Sequence, residues 1–204
     1  AVWRAARPEA SLVRPAVWRA ARPEASLVRP AVCYTMPRVR VALLSPCFWP
    51  EVRRGGERFT RELADGLLKR GHEPTLITSH PGPPSRRTED GLQIIRLPRP
   101  PQKLLLERGF EPYLTHVPLS YAALRSGRYE LAHAVHVTDA LAAARYRRKT
   151  NMPSVLSYMG IPDEVGLYER RGRRRMLRAA LGDTNAVVAL SDYAADAFKR
   201  TLGY

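Results

Sequence analysis

Two glycines and a glutamate stand together where a strand-like run of the sequence gives way to a helix-like one. Gly55, Gly56 and Glu57 follow the loop SPCFWPEVRR, and a helical pattern begins at Glu57. Glycine lets the backbone approach a ligand closely, and the free amides at a helix N-terminus attract anions. The loop matches neither GxGxxG nor GK[ST]. Two interpretations therefore stay open, a phosphate-binding turn and a flexible connector.

Polar side chains also stand near the ends of later strand-like runs. His133 and His136 are three apart, which places them on opposite faces of a strand, so they cannot share a metal ion while the strand continues. We interpret His133 as buried structure and His136 as facing a ligand cleft. Ser191 ends another run, but a serine in front of Asp192 is also a helix N-cap, which the residues alone favour.

The segments that must position these residues alternate between strand and helix patterns. Apolar, β-branched runs typical of buried strands lie at 39–46, 74–79, 92–97, 131–137, 154–159 and 186–191. Helical patterns lie at 57–70, 101–126 (broken by Pro112 and Pro118), 139–149, 167–181 and 192–202, and a polar loop at 80–91. The order predicts an α/β fold, a Rossmann-like, doubly wound, mostly parallel sheet of about six strands. Ligands of such sheets bind beyond the carboxyl ends of the strands.

The composition of the 204 residues is that of a folded globular protein, with 45% hydrophobic and 26% charged residues. The apolar stretch at 112–124 is shorter than the roughly 20 residues that a membrane-spanning helix needs. Two cysteines, Cys33 and Cys47, support no disulfide framework, and a cytoplasmic setting is the simplest expectation. A net charge of +15 favours anionic partners.

Six of the 34 basic residues are arginines of the run RRGRRRMLR at 170–178. Such a run is either a solvated helix face or a contact with anionic lipid headgroups, each arginine then contributing about 1 kcal/mol. Nucleic acid is not expected as a partner, because no aromatic residues are interleaved for base stacking.

The first thirty residues are a tandem duplication, since AVWRAARPEASLVRP at 1–15 recurs unchanged at 16–30. Two prolines in each copy limit the length of any helix, and no continuous apolar core of a secretory signal is present. We expect residues 1–35 to be a disordered leader and residues 36–204 to form the folded domain.

Taken together, the motifs resemble the N-terminal half of retaining glycosyltransferases of family 4, which have the GT-B architecture. The family's first strand runs into an aromatic-x-Pro loop, then Gly-Gly with a nearby Glu, then a helix ending in RGHE. This chain has FWP at 48–50, GGE at 55–57 and RGHE at 70–73. The segments ELAHAVHVTDALAA, PSVLSYMG and NAVVALSDYAADAFKRTLGY are similar to the family's fourth, fifth and sixth strand regions, so the resemblance covers about 38–204.

The resemblance implies an enzyme of hexosyltransferase type that moves a sugar from a nucleotide-sugar donor to an acceptor with retention of configuration. This domain would be its acceptor side. The residues implied to contact donor or acceptor are Gly55, Gly56, Glu57, Gly160 and Ser191, and those at the reaction centre are His136 and the backbone of Met159. Many members have His-Gly where this chain has Met159-Gly160, and a thioether has no pKa useful for acid–base chemistry.

No cofactor and no metal site are expected, because the nucleotide sugar is a substrate. In the family a second domain, with two glutamates eight positions apart, holds most of the nucleotide. No two glutamates here have that spacing, so we expect a fragment that lacks the C-terminal donor domain and is inactive alone. Peripheral contact with the anionic inner face of a membrane stays open. The alternative function is a non-enzymatic Rossmann-like domain that binds a phospho-ligand or a membrane surface.

Overall fold

Seven strands and seven helices run through residues 37–203, the part of the chain that the computed structural model describes. The expected leader at 1–35 lies outside the described residues. The strands are β1 (Arg40–Leu44), β2 (Glu73–His80), β3 (Ser85–Glu89), β4 (Leu92–Pro98), β5 (Leu131–Ala134), β6 (Ser154–Tyr158) and β7 (Ala186–Ala189). The helices are α1 (Gly55–Lys69), α2 (Lys103–Glu107), α3 (His116–Ser126), α4 (Val137–Thr150), α5 (Glu164–Glu169), α6 (Arg173–Gly182) and α7 (Asp192–Leu202).

The strands form one sheet in the order β3-β4-β2-β1-β5-β6-β7. All neighbours are parallel except β3 and β4, which form an antiparallel hairpin. The order runs outward from β1 in both directions, which confirms the doubly wound, Rossmann-like prediction. The carboxyl ends of β1, β5 and β6 therefore lie side by side.

Strand β3 is a difference from the sequence prediction, which left 80–91 as a loop. Its residues SRRTE are mostly polar and exposed, as suits an edge strand, so they carry no apolar alternation. The turn at Asp90 and Gly91 takes φ of 50° and 83°, the left-handed pair of a two-residue hairpin. The Asp-Gly dipeptide was the signal that could have indicated this hairpin.

Two apolar clusters cover the two faces of the sheet. Successive residues of β1 alternate between them, Ala42 and Leu44 toward one and Val41 and Leu43 toward the other. The first cluster includes buried residues of α4 and α6, and the second includes Ala64 of α1. Because β1 is covered on both faces, its sequence is a continuous apolar run.

Two predicted helices are each divided in the structure, the region 101–126 into α2 and α3 and the region 167–181 into α5 and α6. Pro118 does not break α3 but lies in its first turn, where the missing amide costs no hydrogen bond. The region 167–181 is interrupted between α5 and α6 at Gly172, whose φ of 76° is left-handed.

Among the described residues no helix has the length and apolar character needed to cross a membrane.

Candidate functional site

A cavity of about 470 Å³ opens at the carboxyl ends of the central strands. Its lining includes four of the residues predicted from the sequence, namely Gly56, Glu57, His136 and Met159. They come from the start of α1, the start of α4 and the end of β6. Residues separated by about a hundred positions thus meet where the doubly wound topology places a ligand.

Three other predicted residues lie near this edge without lining the cavity. Gly55 begins α1, and Gly160 follows the end of β6. Ser191 is exposed, and its Oγ accepts a hydrogen bond from the amide of Ala194 at 3.3 Å. Its side chain therefore caps α7, as the residues alone favoured.

The loop between β1 and α1 is fixed at its first half. The hydroxyl of Ser45 donates to the carbonyl of Cys47 at 2.7 Å, and the hydroxyl of Ser79 donates to the carbonyl of Pro46 at 2.7 Å. Phe48 is buried in the core, whereas Trp49 and the residues after it are more exposed. The loop is thus held against the sheet up to residue 48 and reaches into solvent beyond it.

The N-terminus of α1 forms one wall of the cavity. Arg54 is the N-cap in extended conformation, and no side chain caps the helix there. The first amides of α1 are therefore free for an anion, and Arg54 and Arg170 both line the cavity beside Glu57. Neither Gly55 nor Gly56 has a left-handed φ.

Gly56 has no side chain and so leaves room beside Met159 in the cavity. A Cβ built on Gly56 would lie 3.8 Å from Cγ of Met159, an ordinary contact distance. The Met159 side chain thus packs close to the start of α1. A larger side chain at position 56 would have to compete with Met159 for the same volume.

His136 is held in one orientation as the N-cap of α4. Its Nδ1 accepts from the amide of Thr138 at 3.3 Å and lies 2.7 Å from the hydroxyl of Thr138. An Nδ1 that accepts from an amide carries no proton, so the neutral ring carries its proton on Nε2. Burial lowers the pKa of His136, and the nearby carboxylates of Asp139 and Glu111 oppose this effect.

Two pairs of polar side chains lie near His136, and sequence reasoning missed both. His116 Nδ1 lies 2.7 Å from Asp139 Oδ1, and both side chains are almost fully buried. The single N–H at Nε of Arg173 donates a bifurcated hydrogen bond to both carboxylate oxygens of Glu111, which is also buried, at 2.9 and 3.1 Å. An available signal for Asp139 was an acid inside the apolar run VTDALAAA, which is expected to be buried.

Tyr113 and Cys47, the latter from the loop between β1 and α1, also line the cavity. The ring of Tyr113 meets the ring of His136 edge-on, with centroids 5.7 Å apart. Burial, together with the neighbouring Cys47, raises the pKa of Tyr113 to about 12. Burial also raises the pKa of the Cys47 thiol, whose sulfur accepts from Nη1 of Arg99 at 3.2 Å. Both groups are therefore protonated at neutral pH.

His133 is set apart from this cavity, as the sequence interpretation had it. Its Nε2 lies 2.8 Å from the hydroxyl of Ser157, and burial lowers its pKa to about 4. The ring is neutral at pH 7 and links two adjacent strands. Within residues 37–203, no group of three or more His, Cys, Asp or Glu side chains could hold a metal ion.

Comparisons with known proteins point to one enzyme family. The model of Glycosyltransferase Family 4 matches residues 53–204. A sucrose-phosphate synthase from Thermosynechococcus elongatus superposes with a TM-score of 0.62 at 19% identity, over 81% of this chain and 45% of that one. A shorter chain of the same synthase gives 0.55 at 20% identity, over 80% of this chain and 82% of that one.

A plant structure is also similar. Arabidopsis thaliana UGT89C1 complexed with UDP has a TM-score of 0.54 at 12% identity, over 80% of this chain and 48% of that one. Identities this low support the shared fold alone. The chain spans less than half the length of the full synthase and of the plant protein. No curated protein matches it.

Proposed function

The chain belongs to Glycosyltransferase Family 4, and we propose that it is the acceptor-side half of an enzyme that transfers a hexose from a nucleotide sugar with retention of configuration. The observation that carries the proposal is the convergence of Gly56, Glu57, His136 and Met159 on one cavity. These residues were chosen from motifs far apart in the sequence. Their meeting at the ligand-binding edge of the sheet supports a common role.

The α1 wall suits the phosphates of the donor. Free amides at a helix N-terminus and the guanidinium groups of Arg54 and Arg170 attract an anion, and the absence of a side chain at Gly56 permits close approach. Glu57 lines the same wall and accepts hydrogen bonds only, which suits a sugar hydroxyl.

His136 acts as a hydrogen-bond donor rather than as an acid. Because burial lowers its pKa and Nδ1 is occupied by Thr138, the neutral ring presents an Nε2–H at pH 7. That group donates to a sugar hydroxyl or to the leaving oxygen. Met159 contributes its carbonyl oxygen as an acceptor and its side chain as bulk.

The rest of the donor site is supplied by a second domain. One helix terminus and two arginines leave a nucleotide mostly in solvent, whereas ligand sites usually enclose most of the ligand surface. We therefore expect the chain alone to bind nucleotide sugars no tighter than about 1 mM, near −4 kcal/mol, and to catalyse no transfer.

The test is a titration of the ¹⁵N-labelled chain followed by NMR. UDP, UDP-glucose and GDP-mannose are compared, since the plant relative was solved with UDP. The amides of Gly56 and Glu57 should shift with millimolar affinity, while Gly203, at the end of α7, should not. Micromolar affinity would contradict the missing-half proposal, and unchanged Gly56 and Glu57 at 10 mM ligand would contradict the donor site.

A matched variant separates the role of His136 from the stability of α4. His136→Ser keeps an N-cap acceptor and removes the Nε2–H donor. The wild-type chain should bind UDP-glucose more tightly than UDP, and in His136→Ser the two affinities should become equal. An unchanged preference for the sugar nucleotide would contradict the donor role.

The basic surface at α5 and α6 supports a second proposal, peripheral contact with an anionic membrane. Tyr168 is exposed and lies beside Arg174, and Val165 is exposed on the same helix as Tyr168. Arg175 and Arg178 are exposed on α6. Apolar residues next to arginines suit a headgroup region. Not every arginine of the run is available, because Arg173 is paired with Glu111.

Vesicle sedimentation tests this contact. The chain should bind vesicles with phosphatidylglycerol and not neutral ones. Replacing Arg175 and Arg178 by glutamine should weaken vesicle binding about 30-fold, because each arginine contributes about 1 kcal/mol near an anionic surface. Replacing Arg86 and Arg128, which removes the same charge elsewhere, should not. Equal losses in both variants would mean that only net charge matters.

A further inference from the structure

A second cavity, of about 530 Å³, lies at the opposite edge of the sheet from the candidate site. Its lining includes Arg40 at the start of β1, Glu73 at the start of β2 and Gln93 near the start of β4. Residues of β3 and of the segment Ser126–Tyr129 after α3 complete it. We call it the amino-edge groove. Its position makes it independent of the cavity at the carboxyl ends.

The amino-edge groove is strongly basic. Five arginines line it, and Glu73 is the one acid among the lining residues. Three of these arginines are paired with carboxylates, Arg38 with Glu73, Arg40 with Glu130 and Arg87 with Glu89. Arg86 and Arg128 have no carboxylate within 4.0 Å among residues 37–203. Their charges are therefore available to an anion in the groove.

The two available arginines come from different elements. Arg86 lies on β3, and Arg128 lies between α3 and β5. Tyr129 follows Arg128 directly and also lines the groove. A ligand in the groove would therefore meet positive charge from two separate elements of the fold.

Gly127 leaves room for the ring of Tyr129. A Cβ built on Gly127 would fall 2.1 Å from that ring, so any other residue at 127 would displace the ring or the backbone. The other lining groups include Thr88 and Gln93, which offer hydrogen bonds, and apolar Ile94 and Ile95. A concave surface with an apolar part and a few convergent polar groups is typical of small-molecule sites.

We propose that the amino-edge groove binds a small phosphate-bearing anion through Arg86 and Arg128. Planar guanidinium groups bind phosphate oxygens in pairs, and two of them from separate elements of one groove suit a ligand with more than one phosphate oxygen to share. The concave shape favours a free small molecule over the flat surface of a bilayer. This site does not depend on the proposed transferase activity, since it shares no lining residue with the other cavity.

Inorganic pyrophosphate is the probe, added to the ¹⁵N-labelled full chain at low salt. The amides of Gly91 and Gly127, both in the groove lining, should shift at lower pyrophosphate concentration than that of Gly56 in the other cavity. Arg86→Gln combined with Arg128→Gln should weaken the binding measured by calorimetry at least about tenfold, because two charge-assisted contacts are lost. Both residues are exposed, so the fold should persist, which circular dichroism checks.

Two control variants make the result specific. Arg175→Gln with Arg178→Gln removes the same charge from α6 and should change the pyrophosphate affinity less than twofold. Gly56→Val obstructs the cavity at the carboxyl ends and should also leave that affinity unchanged. Loss of pyrophosphate binding in Gly56→Val but not in the groove variant would overturn this proposal while supporting the donor site.

Two further results would also overturn it. Equal losses in the groove and α6 variants would show binding by net charge alone. If the groove variant loses binding to phosphatidylglycerol vesicles but keeps its pyrophosphate affinity, the groove contacts lipid headgroups instead of a free anion.

Discussion

Replacing Arg173 by methionine should leave the carboxylate of Glu111 buried without a counter-charge. Glu111 is 3% exposed, and both of its carboxylate oxygens share one hydrogen bond from the N–H at Nε of Arg173. Methionine fills most of the same volume but offers no donor. The substitution therefore removes one half of the pair with Glu111, together with the hydrogen bond from Nη1 to the carbonyl of Gly166 and the more exposed pair with Glu169, but little packing.

The expected cost follows from the burial of the pair. Breaking a buried pair by removing one partner costs about 3–5 kcal/mol. The Arg173 side chain is itself 22% exposed, so water reaches part of the site and we expect the lower end, about 3 kcal/mol. With a urea m-value of about 2 kcal/mol/M, the unfolding midpoint should fall by about 1.5 M. Tm should fall by about 6–12 °C.

A double-mutant cycle in urea measures the coupling. Glu111→Gln in the Arg173→Met background removes the uncompensated charge and should recover about 1–2 kcal/mol. Arg175→Met is the control, because Arg175 is exposed and has no carboxylate partner among residues 37–203; it should change stability by less than about 0.5 kcal/mol.

The outcome that would refute this reasoning is a loss below about 1 kcal/mol for Arg173→Met, or no recovery on adding Glu111→Gln. Either result would mean that Glu111 does not need Arg173 as a counter-charge. The pair matters for the site because Glu111 directly precedes Pro112 and Tyr113, which line the cavity. Nucleotide-sugar shifts at Gly56 in the variant would show whether that wall has moved.

Three more predictions test separate parts of the structure. The pKa of His133 falls from about 6.5 in the unfolded chain to about 4 in the fold. The stability that the neutral ring contributes is therefore fully present above about pH 6.5 and is lost as the pH falls toward 4. Between pH 7 and pH 4 the free energy of unfolding of His133→Asn, measured in urea, should therefore fall by about 2–3 kcal/mol less than that of the wild type. An unchanged pH dependence would count against burial of a neutral ring. Gly56→Ala should be at least as stable as the wild type, because its Cβ makes an ordinary contact and alanine favours a helix. Gly56→Val, in contrast, should abolish the amide shifts caused by nucleotide sugars. If these shifts persist, the α1 wall does not bind the donor. Ser191→Ala should cost about 1 kcal/mol by removing the cap of α7, and Ser191→Asp should not.

The fold class and the elements that bear the candidate site could be predicted from local sequence patterns. Buried parallel strands need apolar side chains on both faces, so runs such as VRVALL are visible without any tertiary information. The helix at 192–202 was predicted with its observed bounds, since Ser191 and Gly203 are local start and stop signals. His136 and the Gly-Gly turn were found because they stand where strand patterns end.

The pairing of charged residues that are distant in the sequence became visible only in the folded chain. Glu111 and Arg173 are 62 positions apart, and the amino-edge groove joins Arg86 of β3 to Arg128 after α3. Nothing in the local sequence distinguishes these arginines from the other basic residues of a chain with a net charge of +15. Secondary-structure patterns arise from neighbours within a few residues, whereas ion pairing and burial depend on chain segments brought together by the sheet order. For that reason the elements could be read from the sequence, and the partners of their charged side chains could not.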